Sequence, residues 1–222
     1  MIFDSEIDLV LCINLERRQD RFDRCRDLFQ RLDIPARFID AVDASELEHE
    51  CSFFGSSARY ACLVSHFMAL KYAADHCEKA VLILEDDIDI NPFFRMILES
   101  VDVPITAKVL FLGGSHRRGP VRAGGSLYKL SWTLDNHAYI VKHRAISEVM
   151  RYMADPAPVD GSRSMTLRGA GGCLNKDVLF ARMQEQGDVY GICPALVWQI
   201  SGRSDNTRAD RRSNYHTNGQ EV

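Results

Sequence analysis

Three adjacent carboxylates, Glu85-Asp86-Asp87, follow directly on the apolar run Ala80-Val81-Leu82-Ile83-Leu84. The run is short and lacks polar alternation, the pattern of a strand buried on both faces. Its carboxyl end is where an open α/β sheet binds ligands. Neighbouring carboxylates repel one another, and a shared cation relieves the repulsion. Side chains alternate along a strand, so Glu85 and Asp87 project to one side and Asp86 to the other. A hard ion such as Mn2+ or Mg2+, bridging Glu85 and Asp87 to a diphosphate, would neutralise charge developing on a departing nucleotide. The same three residues also suit a solvated acidic turn ahead of the helix that opens near Asn91. The triplet alone leaves both readings open.

Alternating strand and helix signals place these residues. Ile7 to Ile13 reads as a first buried strand, followed by a helical stripe at Phe22, Cys25, Phe29 and Leu32 that ends at Ile34-Pro35. Arg37 to Ile39 reads as a second strand, and the polar stretch Asp43 to Ser57 as a long functional loop. A helix with Leu63, Phe67, Leu70 and Ala74 on one face precedes the strand that carries the triplet. Beyond it come a helix opened by Asn91-Pro92 and a strand, Val109 to Leu112, stopped by Gly113-Gly114. The second half is less regular: a strand at His137 to Val141, helices at Ala145 to Met153 and Val178 to Met183, and a strand at Val189 to Cys193. Arg168 to Gly172 reads as a glycine-rich loop, and the polar tail from Gly202 as a segment that orders on binding. Strands separated by helices predict an α/β fold with a largely parallel sheet in a single domain. Within it, residues 1–112 form the more regular half, 113–201 the less regular half, and 202–222 the tail.

Bulk composition narrows the function classes. The chain has 222 residues, 46% hydrophobic and 26% charged, with a net charge of −4, which disfavours a nucleic-acid partner. No apolar run approaches the roughly 20 residues of a membrane span, and the acidic N-terminus lacks signal-peptide features, so a cytoplasmic protein is expected. The seven cysteines, 12, 25, 51, 62, 77, 173 and 193, show neither CxxC pairs nor metal-ligand spacing. They read as small buried hydrophobes rather than disulfides, a zinc site or a catalytic thiol.

Five segments in order carry a family resemblance. They are Ile13-Asn14-Leu15-Glu16-Arg17-Arg18-Gln19-Asp20-Arg21, Cys62-Leu63-Val64-Ser65-His66, Val81-Leu82-Ile83-Leu84-Glu85-Asp86-Asp87, Ala138-Tyr139-Ile140-Val141 and Pro194-Ala195-Leu196-Val197-Trp198-Gln199. Together they resemble glycosyltransferase family 25, the group that includes lipooligosaccharide and collagen galactosyltransferases. The resemblance runs from residue 7 to about residue 205 and implies a Rossmann-like, glycosyltransferase A-type fold. It also implies a UDP-sugar donor, a manganese-like cofactor, and inverting transfer of a sugar such as galactose to a glycan hydroxyl. The implied setting is lipooligosaccharide or surface polysaccharide synthesis, with a lipid-linked acceptor met at the cytoplasmic face of the membrane by peripheral contact at most.

Site roles follow from that resemblance. Asn14, Arg17 and Arg21 fall where such folds receive the nucleotide; an amide can read uracil or ribose, and guanidinium groups pair with diphosphate. Ser65, His66, Asp86 and Gln199 join them as donor-pocket residues, with Glu85 and Asp87 as metal ligands. Inverting transfer needs a base for the acceptor hydroxyl, usually a carboxylate. Asp177 has the better spacing to Pro194, and Asp160 the better local Pro-Val-Asp match. Each residue has a plainer alternative: a solvated basic helix face for Arg17 and Arg21, a satisfied helix pair for Ser65 and His66, a dipole-stabilised helix start for Asp177 or Asp160. One departure stands out. Arg59-Tyr60-Ala61 replaces the family's Gly-Glu-x-Gly, adding bulk and positive charge. Two competing readings are a degenerate member that binds nucleotide or glycan without catalysis, and an unrelated metal-dependent phosphotransferase. The latter lacks a phosphate-cradling glycine loop after the first strand.

Overall fold

The computed structural model describes residues 6–47, 56–154, 176–203 and 210–211. The first half runs β1 (Leu9–Asn14), α1 (Gln19–Arg31), β2 (Ala36–Asp40), α2 (Ser57–His76), β3 (Ala80–Glu85), β4 (Ile88–Ile90), α3 (Phe94–Ser100) and β5 (Val109–Phe111). The second half adds β6 (Ser115–His116), β7 (Val121–Gly124), β8 (Leu127–Lys129), β9 (Thr133–Leu134), β10 (Ala138–Lys142), α4 (Ile146–Ala154), α5 (Lys176–Glu185) and β11 (Val189–Ile192). β12 (Val197–Gln199), β13 (Gly202–Arg203) and β14 (Asp210–Arg211) complete the described chain.

Eight strands form one sheet in the order β2-β1-β3-β10-β5-β11-β8-β7. Six of the eight run one way, because only β10 and β8 pair antiparallel with both of their neighbours. The expected α/β fold with a mostly parallel sheet is therefore present.

Unbroken apolar runs make this sheet the middle of three layers. Along β1 and β3, alternate residues enter opposite cores. Val10, Cys12, Leu82 and Leu84 pack with Cys25, Leu28 and Phe29 of α1 and with Phe94 and Leu98 of α3. Leu11, Ile13, Val81 and Ile83 pack with Leu63 and Leu70 of α2, Ile146 and Val149 of α4, and Leu179 and Phe180 of α5. A strand without polar alternation satisfies both faces only in this arrangement.

Helix edges differ from the sequence reading by one or two residues in several places, most clearly at one start. The helix expected to open at Asn91-Pro92 starts at Phe94, because the Asn91 side chain accepts from Phe93 N at 2.9 Å and makes a side-chain turn of its own. The small strands β4, β6, β7, β8, β9 and β12 escaped the sequence reading because two to four residues carry no periodicity. Of the predicted tail, Gly202–Arg203 pairs with Asp210–Arg211 in a small antiparallel ribbon. The glycine-rich segment Arg168 to Gly172 lies outside the described residues, as does most of the tail.

Parallel β1 and β3 end side by side, with Ile13 opposite Glu85, and antiparallel β10 starts beside them. The reversal between β3 and β10 opens a crevice at the sheet's carboxyl edge, where α/β folds receive ligands. Past the triplet the chain turns into β4, which pairs with β12 so that Gln199 lies opposite Ile88.

Candidate active site at the end of the third strand

The acidic triplet sits in that crevice, and each carboxylate meets a different set of donors. Glu85 Oε1 accepts from Lys176 Nζ, and its Oε2 accepts from Gln199 Nε2 at 3.1 Å. Asp86 turns the other way, accepting from Asn14 Nδ2 at 2.8 Å and from the Arg21 guanidinium at 2.6 Å. Asp87 returns to the first side. It shares the Gln199 amide at 3.2 Å and lies 3.6 Å from Arg21. The expected alternation is thus observed, since one amide reaches both Glu85 and Asp87 while Asp86 faces α1. Arg24, also on α1, donates to the carbonyls of Asp86 and Ile88 at 2.7 and 2.6 Å and holds the backbone on either side of Asp87.

Glu85 belongs to a buried polar chain. Lys176, only 5% exposed, also lies 3.1 Å from His66 Nε2 and 3.1 Å from the Asn136 carbonyl. An ammonium group only donates, so His66 Nε2 must be the bare, accepting nitrogen. The Nδ1 proton then goes to Tyr139 Oη at 2.8 Å. Burial, reinforced by Lys176, lowers the His66 pKa to about 4, so the ring is neutral near neutrality. Its 3.2 Å approach to Glu85 is therefore a contact across the shared ammonium rather than a hydrogen bond. Burial alone would raise the pKa of Glu85, but Lys176 and His66 together outweigh it and hold the carboxyl well below the usual range. Burial raises Asp86, against the opposing pull of Arg21.

An open cleft of about 670 Å³, counting its mouth, lies over the triplet. Arg17, Arg21, Ser65, His66 and the three carboxylates line it together with the apolar residues Ile13, Leu15, Ala41, Val42 and Ala61. Five of the seven residues expected to bind the donor thus reach one cleft. Asn14 and Gln199 are not in its lining; they act from behind, orienting carboxylates. Some of the polar groups are also bonded within the protein. Ser65 donates to the Ala61 carbonyl at 2.7 Å and accepts from Val42 N at 2.9 Å, tying α2 to the chain after β2. Arg17 is ion-paired with Asp43 at 2.5 Å, with half of its side chain exposed. The plainer reading of Ser65 and His66 as a satisfied helix pair describes their bonding, although both still face the cleft.

Asp177 opens α5 beside Lys176, and its carboxylate accepts from Asn136 N at 3.3 Å. Burial raises its pKa, against the opposing effect of Lys176. Lys176 and Asp177 therefore clamp the same stretch of backbone ahead of β10. Asp160 lies outside the described residues. Sequence reasoning missed Lys176, Asn136, Tyr139 and Arg24. Asn136 is fully buried, with no hydrogen-bond partner on either side-chain amide atom. Lys176 did leave a trace in the sequence, because a cation at the start of a helix opposes the dipole and calls for an anionic partner.

The donor set fits a divalent ion only in part. Asp87 offers hard oxygen at the cleft, as such an ion requires. Glu85, expected as the second ligand, is already bonded at both oxygens, one of them to a cation. Sγ of Cys62, a ring nitrogen of His66 and a carboxylate oxygen of Glu85 lie within 4.8 Å of one another. Two of those residues are bonded to Lys176. Elsewhere, His116 Nε2 lies 3.3 Å from Cys193 Sγ, but burial pushes that thiol up to about 11, leaving it protonated.

Comparison with known proteins identifies the family. The model of glycosyltransferase family 25, described as an LPS biosynthesis protein family, matches residues 8–152. A glycosyltransferase 25 family member of Drosophila melanogaster is 31% identical over 107 residues, 40% of this chain. The counterpart of Drosophila pseudoobscura pseudoobscura is 29% identical over 109 residues. The match spans 17% of the length of each of these relatives. Among solved structures, a glycosyltransferase that glycosylates the major capsid of PBCV-1 aligns with a TM-score of 0.43 at 10% identity, over 71% of this chain and 73% of that one. Mouse xyloside xylosyltransferase 1 aligns with a TM-score of 0.40 at 14% identity, over 80% and 69%. No helix among the described residues is long and apolar enough to cross a membrane.

Proposed function

Because the chain belongs to glycosyltransferase family 25, we propose that it is an inverting glycosyltransferase that moves a sugar, galactose in the first instance, from a UDP-sugar to a hydroxyl of a glycan acceptor. The observation that carries this reading is the acidic triplet at the end of β3, facing a cleft lined by both charged and apolar side chains. The uracil ring lies against Ile13, Leu15, Ala41 and Val42, where a flat base buries apolar area. The diphosphate lies toward Arg21 and Arg17, whose guanidinium groups pair with phosphate oxygens. A Mn2+ or Mg2+ ion, where bound, is held by Asp87 and supplies positive charge to the leaving diphosphate.

Asp177 is the favoured base for the acceptor hydroxyl, with Asp160 as the alternative. A carboxyl raised by burial is closer to the working pH and so a better proton acceptor than an ordinary one. The acceptor proposed is a lipid-linked oligosaccharide of lipooligosaccharide or surface polysaccharide synthesis, met at the cytoplasmic face of the membrane. The test is calorimetric titration with UDP, UDP-galactose, UDP-glucose and UDP-N-acetylglucosamine, each with Mn2+ and with chelator. Tighter binding of one sugar nucleotide than of UDP supports the reading and names the donor. Absence of binding in every arm overturns it.

A further inference from the structure

We propose that the Lys176 ammonium is the resident cation of the acidic triplet, so that Glu85 is a positioning residue and a divalent ion at this site is held through Asp87 without Glu85. The inference concerns the same site as the proposed reaction and rests on that reading only for its consequence, a donor bound without a Glu85–metal bond.

Three observations converge on it. Glu85 already has a cation: its Oε1 accepts from the Lys176 ammonium, while its Oε2 accepts from the neutral Gln199 amide. Lys176 has no proton left over, since its three N–H groups match three acceptors: Glu85 Oε1, His66 Nε2 and the Asn136 carbonyl. Lastly, the trio of Cys62, His66 and Glu85 has the spacing of a metal site, and the ammonium is bonded to two of its members. A metal ion on Glu85 would have to share this space with a fixed positive charge or expel it.

Expulsion is resisted by the packing of α5. Lys176 opens the helix, and Leu179, Phe180 and Met183 lock the following turns into the core, Phe180 against Tyr139 of β10 and Phe111 of β5. Glu85 then acts through its other oxygen. By accepting from Gln199 it fixes the amide that also donates to Asp87, so the carboxylate at the cleft is aimed by a chain that begins at Lys176.

The experiment is Mn2+ titration without nucleotide, read by the electron paramagnetic resonance of free ion, with folding checked by circular dichroism. The neutral pair Glu85→Gln/Lys176→Met removes both buried charges together, a replacement that buried ion pairs commonly tolerate. It is expected to bind Mn2+ within about threefold of wild type, because the side-chain carbonyl of Glu85→Gln still accepts from Gln199 and Glu85 was never a ligand. Absence of Mn2+ binding in wild type and variant alike overturns the proposal, which needs Asp87 to hold the ion. Lys176→Met alone frees the Glu85 carboxylate and, where folded, is expected to bind Mn2+ at least about tenfold more tightly than wild type. Mn2+ binding weakened more than about threefold in the neutral pair overturns the proposal. So does a folded Lys176→Met protein that binds no more tightly than wild type. Should Lys176→Met not fold, the neutral pair decides. Failure of UDP-sugars to bind would sink the proposed reaction and leave the role of Lys176 untouched.

Discussion

Acidification should destabilise the protein through His66, and Gln at this position should remove the effect. The ring is 1% exposed, accepts from Lys176 at Nε2 and donates to Tyr139 at Nδ1. Its folded pKa is about 4, against 6.5 when unfolded. A base whose folded pKa is depressed contributes stability that is complete above the unfolded value and lost as pH falls toward the folded one. The window is therefore pH 6.5 down to 4. Between about pH 7.5 and 4.5, proton linkage puts the loss at about 2.5 kcal/mol. Gln at position 66 can accept from Lys176 through its carbonyl and donate to Tyr139 through its amide, and it does not titrate. Urea unfolding of wild type and His66→Gln, in chelator at several pH values across the window, reads the difference directly. Wild type should lose about 2.5 kcal/mol more than the variant over this range. Other carboxyls titrate in both proteins and cancel in the comparison. Parallel pH profiles would refute the argument, because they would mean that His66 is neither buried neutral nor held by the lysine.

Three further outcomes follow from the same geometry. Asp87→Asn should abolish the Mn2+-dependent part of UDP affinity in calorimetry while circular dichroism stays native; unchanged metal dependence would remove Asp87 as the ligand. Asp177→Asn should keep UDP-sugar affinity and lose transfer, by about a hundredfold or more if it is the base; full turnover would move that role to Asp160. Arg24→Met strips two carbonyls around the triplet of a charged donor and should cost about 2–4 kcal/mol in urea unfolding. A loss below about 0.5 kcal/mol would show that the backbone beside Asp87 needs no such clamp.

The legible part of the fold was written in contiguous patterns. Ala80 to Leu84 had to be buried on both faces because no polar residue interrupts it, and a strand of that kind implies helices above and below. The carboxylates that follow it had to lie at the strand's end, and their alternation had to put Glu85 and Asp87 together. The clustering of Arg17, Arg21, Ser65 and His66 near them was accessible only through the ordered segments that resemble a family. Short strands such as β4 and β12 were not legible, since three residues carry no period and form only because each finds the other.

Local order along the chain therefore determined the layers, the strand carrying the triplet and the side on which each carboxylate projects. Tertiary structure alone decided which charges those carboxylates meet. Lys176 is 91 residues from Glu85, and Asn14 is 72 residues from Asp86. Periodicity reports which face of an element is buried, whereas an ion pair depends on how two distant elements are brought together. A cation just ahead of the helix read at Val178 to Met183 could be seen in the sequence; that it would end on Glu85 depended on packing that helix against β5 and β10.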